Sequence, residues 1–160
     1  MKKKLIQDPS VIKIKVNVNA TVRDSKTGRI KRAKKFHNII PTVGRAAIAN
    51  NLTDSTPSPS SLLVDYCEVG TGTNAPANGD TTLQTAHTRT AVASRTNSNN
   101  IAYITGFFSA TEAVATLREA GLFIAGSITL GTGTLFSRVA INVTKSNTET
   151  LTLDWTITIS

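Results

Sequence analysis

Ten carboxylates, two histidines and one cysteine are the side chains from which acid–base, nucleophilic or metal chemistry could be built in this sequence. His37 and His87 lie far apart, and neither has a carboxylate or cysteine at ligand spacing. A metal site needs several converging donors, so each reads as an ordinary surface or interface histidine. Glu112 and Glu119 flank a short segment, and paired carboxylates can do acid–base work. The adjacent Arg118, however, favours an ion pair that organises a turn or an interface. Asp65, Glu68 and Asp80 surround a loop with Asn78-Gly79 that could admit a hard cation, but they lack the recurring Asp/Asn spacing of a calcium loop. Cys67 stands within Leu62-Leu63-Val64-Asp65-Tyr66-Cys67-Glu68-Val69 and reads as a small core residue rather than a reactive thiol. Ser and Thr are plentiful, yet no nucleophile-elbow sequence places one beside an oriented base.

Gly-Thr-Gly-Thr occurs twice, at 70–73 and 131–134. A phosphate cradle needs a lysine and Ser/Thr opening a helix, and neither copy has them. Both read as strand-to-strand turns. The sequence therefore nominates no catalytic residue, no cofactor and no metal, and the expected class is non-enzymatic.

Charge carries more information. The formal net charge is +8, and thirteen of the 18 basic residues fall in the first 45 positions, against only Asp8 and Asp24. The remaining 115 positions hold five basic and eight acidic residues. Such asymmetry implies an arm or face that meets something negative, or a solvated face that keeps the chain soluble. The run Arg29-Ile30-Lys31-Arg32-Ala33-Lys34-Lys35-Phe36-His37 could neutralise phosphates. Single-strand binding would add stacking aromatics, and Phe36 stands alone there, which argues against nucleic acid. An acidic protein lattice fits better. The basic start is not followed by an apolar stretch long enough for a secretory leader or a bilayer span, so no membrane partner is expected. A single cysteine rules out an internal disulfide and suits a reducing compartment.

The elements that must position these residues are strands. Threonine, valine and isoleucine are abundant, and β-branched side chains favour pleated surfaces. In Ile12-Lys13-Ile14-Lys15-Val16-Asn17-Val18-Asn19 every second residue is apolar, and the same period of two returns from Leu151 through Leu153, Trp155, Ile157 and Ile159. Both runs should turn their apolar face to one core, with the register firmly fixed. Further strands are expected through Val22 and over 30–36, 61–69, 88–95, 101–109, 115–123 and 135–144, with turns at 24–28, 97–100 and 145–148. Thr42, an alanine-rich run and Asn50-Asn51 predict one short helix near 43–51, capped by Thr42 and weakened by Gly44. Residues 53–61, with Pro57 and Pro59, and 70–82, with Asn74 and Pro76, read as long loops of the kind that contact partners. The expectation is an all-β, mostly antiparallel sandwich or jelly-roll-like domain over 11–160, preceded by a basic arm over 1–10.

From Val69 onward the order of segments is informative. Val69-Gly70-Thr71-Gly72-Thr73-Asn74-Ala75-Pro76 is followed by Asp80-Thr81-Thr82-Leu83, Leu117-Arg118-Glu119-Ala120-Gly121-Leu122-Phe123, Leu135-Phe136-Ser137-Arg138-Val139 and a closing strand with Trp155-Thr156-Ile157. This succession resembles small virion structural proteins of tailed bacteriophages and prophages, with a weaker echo at 24–28 and 38–51. The resemblance implies a β-sandwich component of the particle, assembled in the host bacterial cytoplasm, on the head or on the tail. The leading expectation is a capsid decoration or cement protein bound to the major capsid protein as a homo-oligomer, with a trimer first in mind. A tail, baseplate or fibre-attachment subunit joined to tail or neck proteins is the alternative, and a host-surface or glycan-binding module stands behind both. Contacts are expected from Lys2, Lys3, Lys4, Lys13, Lys15, Lys31, Arg32, Lys34 and Lys35, and from the loops carrying Pro57, Pro59, Asn74 and Pro76.

Overall fold

A computed structural model describes residues 12–160 of the chain. Period-two alternation in the first and last strands sets the architecture. β1 (Ile14–Asp24) and β9 (Glu149–Ile159) pair antiparallel along their whole length, with Val18 opposite Trp155 and Ala20 opposite Leu153. Val16, Val18, Ala20, Val22, Leu151, Leu153, Trp155 and Ile157 are all buried on one face, while Lys15, Asn17, Asn19 and the β9 threonines stand on the other. The alternation outruns the core at its ends. Ile12 is 75% exposed and Ile159 47%, lining an open cleft with Leu62, Leu63 and Tyr103, so the inward set is shorter than the sequence suggests.

Seven further strands and one helix complete two layers. Sheet A runs β2 (Ile30–His37), β1, β9, β6 (Ile101–Phe108), β5 (Ser94–Ser98). Sheet B runs β4 (Ala86–Ala91), β3 (Val64–Gly70), β7 (Thr116–Ile124), β8 (Thr134–Thr144). Every pairing is antiparallel, so the all-β sandwich-like class is as expected. Four sequence-adjacent strand pairs, β1–β2, β3–β4, β5–β6 and β7–β8, are closed by β9, which slots between β1 and β6 at the centre of sheet A. The inner faces meet in one cluster that includes Cys67, Val69, Ile104, Phe108, Leu122, Val139 and Trp155.

Local chemistry explains the joints. Asp24 Oδ1 accepts from the Lys26 and Thr27 N–H groups (3.1 and 2.9 Å), and Gly28 takes a positive φ of 70°, which tightens the β1–β2 turn. Asn99 has a positive φ of 49° in the β5–β6 turn, a conformation asparagine tolerates.

Three expectations need correcting. The strand expected over 88–95 is two strands in different sheets: β4 ends at Ala91, and the chain crosses to sheet A through Val92 and Ala93. Leu62 and Leu63 precede β3 and are exposed. The helix α1 spans Thr42–Thr53, with Pro41 at its N-cap and no side-chain cap, so Thr42 is its first residue rather than its cap. Proline suits that position because its missing N–H costs nothing there. Gly44 serves approach rather than flexibility, since a Cβ there would stand 2.7 Å from the Phe136 carbonyl oxygen of β8.

Trp155 is the largest fully buried side chain and lies at the middle of the central strand. We predict that Trp155→Ala costs about 3–5 kcal/mol of unfolding free energy, read from urea denaturation. A loss under about 1 kcal/mol would show that the two sheets do not close over this residue.

Candidate functional site

The outer face of sheet B is where charge is buried. Glu68 (β3), Glu119 (β7), Arg89 (β4) and Arg138 (β8) are nearly inaccessible, with Glu68 at 0% and Glu119 at 1%. Register aligns them: Arg89 pairs with Glu68, Glu68 with Gly121, and Gly121 with Arg138. Gly121 leaves room in that row for Leu83 and Leu135, which pack with Phe123 into a small second core.

Each carboxylate anchors one of the two Gly-Thr-Gly-Thr segments. Glu119 accepts from the Gly72, Gln84 and Thr85 N–H groups at 3.1, 2.9 and 2.7 Å and from Arg138 Nη2 at 2.7 Å. Arg138 also donates to the Asn74 carbonyl (3.2 Å) and pairs with Asp80. Glu68 accepts from the Gly131 N–H at 2.9 Å. Its partner Arg89, 3.4 Å away, stacks over Phe123 (4.3 Å to the ring centre) and donates to the carbonyls of Thr129 and Thr132. Burial pushes the Glu68 carboxyl up, opposed by the Gly131 N–H and by Arg89. Its Oε1 has no hydrogen-bond partner among the described residues, so this pair is the more loosely satisfied of the two.

Both Gly-Thr-Gly-Thr segments lie in strand-to-strand connections, between β3 and β4 and between β7 and β8. The first opens the connection over 71–85 and the second leads into β8, and each is held by a buried carboxylate. Glu119 pairs with Arg138 rather than its neighbour Arg118, which is exposed. The three carboxylates considered for a cation are separated: Asp65 faces Arg95 at 3.4 Å, Glu68 faces Arg89 and Asp80 faces Arg138. Among the described residues no group of three or more His, Cys, Asp or Glu could hold a metal ion. Cys67 is fully buried, and burial pushes its thiol up to about 12.

The basic residues divide by location. Lys2, Lys3 and Lys4 lie outside the described residues. On β2, Arg32 and Lys34 turn toward β8 of the neighbouring sheet, where Arg32 donates to the Thr144 carbonyl (2.8 Å) and Lys34 to the Asn142 carbonyl (3.2 Å), while Arg32 also donates to Glu149 of β9 in its own sheet (2.9 Å). They bridge the edges of the two sheets, and inward-pointing charge of this kind protects an edge from stray pairing. Lys31 joins them by pairing with Asp24 (3.3 Å) and Glu149 (3.5 Å). Lys35 stands exposed opposite Asn19. Lys13 and Lys15 are exposed at the start of β1, beside His37 and Arg45.

The loop residues are held internally. Pro57 and Pro59 are half-buried, and the Pro59 carbonyl accepts from Asn51 Nδ2 at 2.9 Å. The Asn74 N–H donates to Gln84 Oε1 at 2.7 Å, and Pro76 is half-buried. The buried network itself had no local signal in sequence, because its members come together only through strand register.

Two predictions follow from this geometry. Glu119→Gln should cost about 3–5 kcal/mol in urea denaturation by leaving Arg138 buried and underpaired, whereas Glu119→Leu with Arg138→Met should cost less than the single change. Asp24, Asp80, Glu112 and Glu149 are all held below their ordinary values, and Asp24 and Glu149 lead the acid response. Hydrogen bonds from Thr27 lead in holding Asp24 at about 2, below its ordinary 3.8. Burial pushes Glu149 up, but the Ser146 N–H and Arg32 outweigh it and bring it to about 2 from 4.5. Folded values below the unfolded ones stabilise the fold above the unfolded pKa, and that contribution disappears as pH falls from about 4.5 toward about 2. Melting temperature should drop across that window, and Glu149→Gln should flatten the drop. No protein-family model, curated protein or solved structure matches the chain.

Proposed function

We propose that the chain is a non-enzymatic structural protein of a tailed-bacteriophage particle, with capsid decoration the favoured seat and a tail or baseplate position the alternative. The observation that carries this reading is the division of charge between the two faces. The buried charges of sheet B are bound to one another and to loop backbone, so they rigidify rather than react. The cations Lys13, Lys15, Lys35 and Arg45 enter none of the ion pairs among the described residues; the three lysines stand on the β1–β2 side of sheet A, and Arg45 of α1 lines the same cleft as Lys13 and Lys15. A rigid sandwich with one basic side suits attachment to an acidic protein lattice. The segment order from Val69 to Trp155, on which the resemblance to virion proteins stands, supplies the address.

Self-association fits the same reading. β5 is exposed along Ser94–Ser98 and forms an edge of sheet A, an edge that a second copy would cover.

Particles purified from the host that encodes the chain provide the test. We predict that mass spectrometry finds it at a fixed ratio to the major capsid protein, and that it fractionates with heads when heads and tails are separated. Co-fractionation with tails would move it to the alternative seat. Absence from washed particles would overturn the proposal.

A further inference from the structure

Strand β2 leaves β1 early. Their last pair is Asn17 with His37, after which the chain turns away and Ile39 bridges to Arg138 on β8. β1 continues through Val16, Lys15 and Ile14, paired there with β9 on its other side. Lys13 exchanges both backbone hydrogen bonds with Ser160. Bonding direction alternates along an antiparallel strand, so the N–H and C=O of Ile14 point to the side that β2 has vacated.

A cleft of about 680 Å3 lies at that place, between the start of β1, the departing segment 37–40, Arg45 of α1 and Asn78. Its charge is one-sided. Among the described residues Lys13, Lys15, His37 and Arg45 line it, no carboxylate does, and none of the four belongs to any of the seven ion pairs. Arg45 is held by hydrogen bonds to Thr42 Oγ1 (3.1 Å) and Asn78 Oδ1 (3.4 Å), neither of which neutralises it.

We propose that this cleft takes a short, extended acidic peptide segment of a neighbouring protein, which adds to sheet A alongside Ile14 while its carboxylates meet Lys13, Lys15 and Arg45. Strand addition to an open edge gives affinity through main-chain bonds and specificity through alternate side chains. Ile14 and Ile40 form apolar walls that suit apolar residues alternating with acidic ones. A nucleic acid strand would instead want stacking Phe, Tyr or Trp side chains, and among the described residues His37 is the sole ring lining the cleft. The β1 wall runs from Ile12 to Val16, so at roughly 3.4 Å per residue the cleft spans about five residues of an added strand. The inference rests on the reading of the chain as a particle component and names the chemistry of its partner there.

The test uses the full chain and a fluorescent peptide of alternating glutamate and valine, followed by anisotropy. Saturable binding is expected, weakening about tenfold or more at high salt and about tenfold with Lys15→Glu or Arg45→Glu. Lys26→Glu, in the β1–β2 turn away from the cleft, should bind as the parent does. Arg45→Glu, on the helix surface, keeps the test open if the β1 change disturbs folding. No binding, equal binding of a glutamine–valine peptide, or tighter binding of oligothymidylate lost in the same variants would each overturn the proposal. Incorporation of the variants into particles separates the two readings. Arg45→Glu chains that join particles normally would overturn the cleft as the docking site and leave the virion reading standing.

Discussion

Glutamates 68 and 119 sit on the outer face of a sheet with almost no access to water, and the rest of the molecule is arranged around keeping them satisfied. An isolated carboxylate in such a place would cost several kcal/mol. Here each has an arginine from a neighbouring strand and a glycine N–H from a connecting loop. The exchange works in both directions. The carboxylates are stabilised, and the connections over 71–85 and 125–133 are fixed against sheet B by charged groups rather than by apolar contact alone. Burying one row of charge thus fixes both connections, and the first of them adds Leu83 to a second small core with Phe123 and Leu135 of the strands.

That arrangement decides which side of the sandwich remains available. With its outer face roofed over by its own loops, sheet B has few charges to offer a partner. Sheet A has no such roof, and its outer face presents Lys15, Asn17, Asn19, Lys35 and the alternate threonines of β9, with Asp154 among them bonded by the Thr105 hydroxyl. At its β2 edge the basic residues work at close range. Arg32 and Lys34 reach across to β8 and block edge pairing along most of the strand. Protection stops where β2 departs, and the open backbone of Ile14 is left beside four cationic or titratable side chains. A protected edge with one short gap is a different object from a freely exposed edge: it admits a short segment and excludes a long sheet.

Much of the fold was legible because period-two alternation has one physical cause. β1 and β9 each bury a single face, and a slip of one residue would expose all of it, so their patterns were unambiguous. The turn at 24–28 was equally readable from Asp24 and Gly28. The split of 88–95 was not, because Val92 and Ala93 carry no turn chemistry to mark a break between β4 and β5. The pairing of Glu119 shows a different limit. Arg118 is its neighbour in sequence, yet it sits at a register irregularity between Leu117 and Glu119 and stays exposed, so adjacency argued for the wrong partner. The true partner, Arg138, is set by the register between β7 and β8, which no local pattern encodes. The basic residues at 13 and 15 were visible as charge, whereas the gap that makes them a cleft depends on where β2 ends.

The central claim is that contact with the particle falls on the open start of β1 and not on the loops fixed to sheet B. Hydrogen–deuterium exchange of the chain, free and bound to particles, tests this most directly. The account predicts that protection rises over 12–16 and 37–40 on binding, while the amides of Gly72, Thr85 and Gly131 are already protected in the free chain and change little. Protection gained over 71–85 and 125–133, with 12–16 unchanged, would contradict it.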